Sequence, residues 1–190
     1  TGAINVKPLI SDRFRLEDAN EAYERLQDIS SIGIIFEYQN ESNIKDTSLG
    51  LRDYKKPENG ISISLVGGGN YASRTLLPCF RDKDLNISFN AIITDKGISA
   101  TEVGKKYNFA LASTNLNDAL GDETDIVVIS TRHDSHADII TRALEKNKHI
   151  FVEKPLALTH SEVKRIKEAY KKSNSILMVG YNRRFSPLIT

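Results

Sequence analysis

From residue 61 to residue 181 the sequence alternates short runs rich in Ile and Val with stretches of helical periodicity, and this alternation constrains the fold more than any other feature. The apolar runs fall at residues 61–66, 87–94, 110–112, 126–130, 149–152 and 176–181. Helical patterns begin near residues 71, 99, 136 and 161, with a shorter one over 116–120. Such strands, separated by helices of one to four turns, connect by right-handed crossovers into a parallel sheet covered on both faces. The expected class is α/β with a doubly wound parallel sheet. Ligands of such sheets bind beyond the carboxyl ends of the strands, where the strand order reverses.

The amino-terminal 38 residues follow a different pattern. An extended start over 4–10 precedes a helical stretch with Leu16, Ala19, Ala22, Tyr23 and Leu26 on one face, and Glu17 and Asp18 suit its first turn. A second strand is expected over 32–38. Below about 40 residues such a segment buries too little to stand alone, so it reads as a small α+β appendage. Residues 39–60 shift to Asn, Ser, Asp, Lys, Gly and Pro, which is linker chemistry. The expected organisation is therefore 1–38 appendage, 39–60 linker and 61–190 main domain. Because the sequence opens on Thr1 and its one methionine is Met178, it reads as a piece of a longer polypeptide.

Charge and composition exclude several classes. Lys plus Arg number 26 against 25 Asp plus Glu, so no basic field attracts nucleic acid or anionic lipid. No apolar stretch approaches the roughly 20 residues of a membrane span, and no signal peptide opens the chain. A single cysteine, Cys79, forms no internal disulfide and builds no thiolate zinc site, which favours the cytoplasm.

Directly after the first strand of the main domain stand Gly67, Gly68, Gly69, Asn70, Tyr71 and Ala72. Gly67, Gly69 and Ala72 fit the G-x-G-x-x-[GA] spacing between a strand and a helix. The first glycine permits a tight turn, the second lets backbone amides approach a pyrophosphate at the helix start, and the small third residue lets helix and strand pack closely. The second strand ends at Asp95 and Lys96. A carboxylate there accepts ribose hydroxyls and disfavours a 2′-phosphate, which favours NAD, whereas the neighbouring ammonium suits the phosphate of NADP; a solvated turn pair is the bland alternative. The fourth strand runs into Ser130, Thr131, Arg132, His133, Asp134, Ser135 and His136, whose hydroxyls and ring nitrogens are expected to meet the cofactor, with Asp134 or Ser135 free to cap the next helix. Two histidines three apart lack the carboxylates or thiols that complete a metal site, so no metal is expected.

Glu153-Lys154-Pro155 ends the fifth strand. Side chains alternate along a strand, so Lys154 and Val152 point one way and Glu153 the other. A lysine beside a cationic nicotinamide is suited to proton transfer or to polarising a substrate oxygen. Pro155 fixes the turn and is compatible with a cis peptide bond.

The glycine loop, the 131–136 segment, Glu153-Lys154-Pro155 and residues 179–187 (Val-Gly-Tyr-Asn-Arg-Arg-Phe-Ser-Pro), in this order, resemble the nucleotide-binding domain of the glucose-fructose oxidoreductase, inositol dehydrogenase and MocA family over residues 61–190. The resemblance implies a Rossmann-type domain and NAD(P)-dependent redox chemistry on a sugar, cyclitol or sugar nucleotide. It places Lys154 as the active-site lysine and Asn182 and Arg183 near nicotinamide and substrate. It further implies a second α/β domain carrying the catalytic histidine, the substrate contacts and the interface of a homo-oligomer. Residues 1–38, through the segments 6–14 and 16–23, are similar to the carboxyl tail of medium-chain zinc-type alcohol dehydrogenases, but without that family's zinc ligands or glycine loop. The leading expectation is an NAD(H)-binding piece of a sugar-type oxidoreductase, inactive alone. A dinucleotide sensor without turnover and an S-adenosylmethionine methyltransferase are the rival readings.

Overall fold

The computed structural model describes residues 5–38, 48–80 and 85–187. Residues 1–4 of the expected appendage, 39–47 of the expected linker and 188–190 of the main domain lie outside the described residues. The chain divides into two compact units, Thr1–Lys45 and Asp46–Thr190.

In the first unit, β1 (Asp12–Arg15) and β2 (Ile34–Glu37) pair in parallel, with α1 (Ala19–Arg25) between them in sequence. The expected helix and second strand are present. The start is not extended, however: Pro8 lies in the opening turn of a 3-10 helix over Lys7–Leu9. The strand comes later, at Asp12–Arg15, where three charged residues around Phe14 mask the pattern. Arg13 pairs with Glu37 across the two strands at 2.7 Å.

The second unit holds a seven-stranded sheet. Its strands are β3 (Ser48–Gly50), β4 (Ile61–Val66), β5 (Ile87–Ile93), β6 (Leu111–Ser113), β7 (Ile126–Ile129), β8 (His149–Glu153) and β9 (Leu177–Gly180), in the order β3-β6-β5-β4-β7-β8-β9. All ladders are parallel except β3–β6. From β6 to β9 this is the doubly wound order, and it reverses between β4 and β7. Successive residues of the central strands serve opposite faces. Leu65 and Val128 pack against Ala72, Leu77 and α3 (Ile98–Tyr107), whereas Val66, Val127 and Ile129 pack against α4 (His136–Glu145) and α5 (His160–Lys171). Burial on both faces is why these strands read as unbroken apolar runs, each large side chain contributing roughly 1.5–3 kcal/mol. Coverage is uneven at one place. On the α3 side, Phe151, Ile176 and Met178 line a groove of about 570 Å³ towards the amino ends of β7–β9.

Three local features follow from particular residues. The helix after the glycine loop widens to a π-helical stretch over Ala72–Leu76 before α2 (Leu77–Cys79), so that Leu77 N–H reaches the Ala72 carbonyl. Pro78, which has no N–H and whose ring crowds the carbonyl four residues back, accounts for the wider turn. The β4–β5 register slips by one residue between Ile63 and Leu65. The Ala91 N–H, displaced by that bulge, donates to the Ser64 hydroxyl at 3.2 Å, and Thr124 joins Ser64 (2.8 Å) and Asn90 (3.1 Å) in the same buried cluster. Helix α5 opens with a capping box in which Thr159 and Glu162 exchange side-chain to backbone bonds.

The segment expected to be linker is in part integral to the sheet. Ser48–Gly50 pairs antiparallel with β6. After it, Arg52 donates to the carbonyls of Asn108 and Phe89, Tyr54 hydrogen-bonds with Ser62 and Ser88, and Lys56 pairs with Asp125 at 2.5 Å. Its polar composition reflects side chains that clasp the sheet's amino edge rather than a free connection. Among the described residues no helix is long and apolar enough to cross a membrane.

Candidate dinucleotide and substrate cleft

At the end of β4 the chain turns on Gly67, whose φ is +99°, a region that L side chains rarely adopt. A Cβ there would fall 2.5 Å from the Ser130 carbonyl oxygen and 2.8 Å from the Thr131 nitrogen. The turns after β4 and β7 therefore press together at the point where strand order reverses. The Ser130 N–H to the Val66 carbonyl fixes this contact, and the Gly67 N–H donates to the Ile93 carbonyl of β5, both at 2.8 Å. Gly69 opens onto free space, as a backbone that must approach a ligand requires.

A cleft of about 710 Å³ lies over these turns. Of the residues singled out in the sequence, Gly67, Gly69, Asn70, Asp95, Lys96, Ser130, Thr131 and Arg132 line it. A second cleft, about 330 Å³, is lined by Tyr71, Ser130, Thr131, His133, Glu153, Lys154 and Asn182. Ser130 and Thr131 belong to both, so the two adjoin, one at the glycine loop and one at the end of β8.

The smaller cleft is built from four strand ends, those of β4, β7, β8 and β9. The Asn182 side-chain amide donates to the Tyr71 hydroxyl at 3.2 Å. Burial, then the negative charge of Glu153, push the Tyr71 hydroxyl above its ordinary value, so it keeps its proton. Glu153 Oε1 is buried with no hydrogen-bond partner. A desolvated carboxylate oxygen beside an open cleft is a strong acceptor awaiting a donor, and the hydroxyl and amide donors of a dinucleotide fit that need. Lys154 is exposed on the same wall, and the Lys154–Pro155 peptide is cis.

Four singled-out residues stand elsewhere. Ala72 is fully buried beneath the loop and serves packing alone. His136 is also fully buried, with Nδ1 2.8 Å from the Pro155 carbonyl oxygen and Nε2 3.2 Å from that of Thr131. It meets backbone rather than a cofactor, because the first turn of α4 directs it into the core between β7 and β8. Its ring meets that of His133 edge-on at 5.6 Å, and its nitrogens are already engaged, so the two histidines form no ligand pair. Pro155 contributes its carbonyl to this contact and lines neither cleft. Arg183 is exposed in the turn over Asn182–Phe185, outside the lining of both clefts. The expected helix cap by Asp134 or Ser135 is absent; the Ser135 hydroxyl lies 2.7 Å from Thr131 Oγ1 and 2.9 Å from the Arg132 carbonyl. Sequence reasoning missed Thr94, Ser99, Thr114, Leu116 and Ile139, which complete the larger cleft. Thr114 and Leu116 carried a usable signal, since they follow β6 at its carboxyl end.

The chain is similar to known proteins. The chain is 30% identical over 126 residues to 4-carboxy-2-hydroxymuconate-6-semialdehyde dehydrogenase of Sphingobium sp., covering 66% of this chain and 39% of that enzyme. Over 63 residues it is 46% identical to scyllo-inositol 2-dehydrogenase (NAD(+)) of Bacillus subtilis, covering 33% of this chain and 18% of that enzyme. Among solved structures, levoglucosan dehydrogenase in complex with NADH and L-sorbose superposes with a TM-score of 0.60 at 28% identity, covering 68% of this chain and 36% of that one. The chain thus spans well under half the length of these relatives. Residues 61–181 match the model of an oxidoreductase family with an NAD-binding Rossmann fold, the glucose-fructose oxidoreductase, inositol dehydrogenase and MocA family, and the chain belongs to it.

Proposed function

We propose that this chain is the dinucleotide-binding part of an oxidoreductase that transfers hydride between NAD(H) and a sugar, cyclitol or sugar-nucleotide carbon. The observation that carries the proposal is the adjoining pair of clefts: a glycine-loop cleft with Asp95 at its far wall, and a smaller one that gathers Glu153, Lys154, Tyr71 and Asn182. Gly67, Gly69 and Asn70 would hold the pyrophosphate at the helix start, and Asp95 the adenosine ribose, with Lys96 beside it as the group that admits NADP. Glu153 and Asn182 would fix the nicotinamide end. The bound dinucleotide supplies a hydride acceptor or donor at its nicotinamide ring.

Lys154, exposed on the wall of the smaller cleft, would hold the substrate oxygen and pass a proton to or from it while the adjacent carbon gains or loses hydride. Relatives that act on cyclitols and anhydrosugars support a polyhydroxylated substrate. On this reading the substrate contacts and a histidine partner for Lys154 belong to a second domain outside these residues, and so does the homo-oligomer interface. The 190-residue chain then binds dinucleotide without turning over substrate.

Calorimetric titration of the chain with NADH, NADPH and S-adenosylmethionine tests the binding half. NADH is expected to bind, more tightly than NADPH; binding of S-adenosylmethionine alone sinks the proposal. For the chemistry, Lys154→Ala in the full-length enzyme is expected to abolish turnover while NADH affinity persists. Unchanged turnover removes Lys154 from the mechanism, and measurable dehydrogenase activity in this chain alone removes the second-domain requirement.

A further inference from the structure

His136 is a buried polar side chain beside the smaller cleft whose position the binding chemistry leaves unexplained. It has no exposed surface, yet both ring nitrogens face carbonyl oxygens, Nδ1 that of Pro155 and Nε2 that of Thr131. The two carbonyls come from different strand ends. Thr131 follows β7 and lines both clefts, while Pro155 follows Lys154 directly after β8. A neutral imidazole carries one N–H and both neighbours are acceptors, so the ring donates to one carbonyl and packs against the other, and its width sets the spacing of the two segments it touches. Thr131 itself and Lys154, the residue before Pro155, both line the smaller cleft.

We propose that His136 is a positioning residue for the nicotinamide end of the dinucleotide, clasping the Thr131 and Pro155 main chains so that Glu153 and Lys154 are held at a set distance from Ser130 and Thr131. The ring touches neither cofactor nor substrate. It acts through the main chain on which Lys154 is mounted. The inference rests on the reading that the smaller cleft receives the nicotinamide half, and it concerns that half, because the glycine loop is held by its own bond from the Gly67 N–H to the Ile93 carbonyl.

The test compares NADH with ADP, which occupies the glycine-loop cleft without reaching Lys154. In His136→Phe, which keeps a ring and loses the polar contact, NADH affinity is expected to fall about tenfold, in line with the loss of one hydrogen bond, while ADP affinity stays within about twofold. His136→Gln, which retains an N–H donor, is expected to recover part of the loss. Equal losses for both ligands, or unchanged NADH affinity, overturn the proposal.

A measurement on the unaltered chain stands independently of how the variants fold. By nuclear magnetic resonance, a ring N–H of His136 should be protected from solvent exchange, and it should shift on addition of NADH and not of ADP. A freely exchanging ring proton, or one indifferent to NADH, overturns the proposal as well. If the unaltered chain binds NADH no more tightly than ADP, the assignment of the smaller cleft falls and the positioning role falls with it. If NADH binds more tightly and the variants or the ring proton do not respond as stated, the positioning role alone falls.

Discussion

Gly180 stands directly opposite Glu153 in the β8–β9 ladder, and a Cβ on it would lie 2.9 Å from Glu153 Oε1 and 3.0 Å from Phe151 Cζ. The absence of a side chain on β9 is what lets the Glu153 carboxylate lie flat against the strand with one oxygen buried and unbonded. Replacing this glycine by alanine pushes a flexible carboxylate rather than backbone, so the stability loss should stay under about 1 kcal/mol. NADH affinity should fall by roughly tenfold, the equivalent of about 1.4 kcal/mol. Paired thermal melts and NADH titrations of Gly180→Ala check both halves of this expectation.

Gly67 offers the contrasting case. A Cβ there meets the Ser130 main chain, which cannot swing aside, and the backbone lies at positive φ. Gly67→Ala should cost about 1–3 kcal/mol in strain, and the adjustment should splay the turns after β4 and β7. Affinity for ADP and NADH should therefore decline together, unlike in Gly180→Ala. Titrating the two ligands side by side distinguishes the effects.

The buried cluster at the β5 bulge gives a prediction about stability alone. Thr124→Val keeps the shape and deletes the oxygen that Asn90 and Ser64 share. Leaving the Asn90 amide without its acceptor inside the sheet should destabilise the fold by about 1–3 kcal/mol. In urea the midpoint should fall with its slope unchanged, since the native surface is the same.

The Lys56–Asp125 pair should contribute to acid sensitivity. Burial acts to raise the Asp125 carboxyl, but the hydrogen bonds from Lys56 and from the Ser62 N–H outweigh it and hold the group below its ordinary value. The Asp125 contribution is therefore complete above the ordinary carboxylate range and is lost as pH falls through the lower folded-state value. Lys56 is shifted up, chiefly by its hydrogen bond to Asp125, so its contribution holds below the ordinary lysine value and fades only as pH rises through the higher folded-state one. Both side chains are about a third exposed, so the pair should be worth about 0.2–1 kcal/mol. Denaturation of Lys56→Met at pH 7 and pH 3 checks this: the gap from the unaltered chain should narrow at the lower pH.

Much of the second unit was legible because its strands are buried on both faces and so declare themselves as Ile- and Val-rich runs. The glycine loop was equally plain, since only glycine tolerates the approach of Ser130 to Gly67. The strand Ser48–Gly50 was not legible, because all three residues are exposed and a short edge strand carries no apolar pattern. His136 was misplaced for a related reason. A histidine in a polar stretch reads as solvent-facing, and only the packing of α4 against β7 and β8 turns it inward. Arg183 shared the opposite fate: the motif around it is recognisable, yet its turn leaves the side chain in solvent.

The edge strand β3 also bears on where this domain begins. Leu51, immediately after it, fills the space above Gly104 on α3, where a Cβ would come within 2.5 Å of Leu51 Cδ1. A version begun at residue 61, where the family match starts, would keep every group in both clefts and still lose this plug, uncovering the outer hydrogen-bonding row of β6 and a hole in the helical layer beneath it. The natural start of the folded unit is thus upstream of its recognisable motifs, and expression boundaries drawn from motif matches alone would invite sheet-to-sheet association between copies.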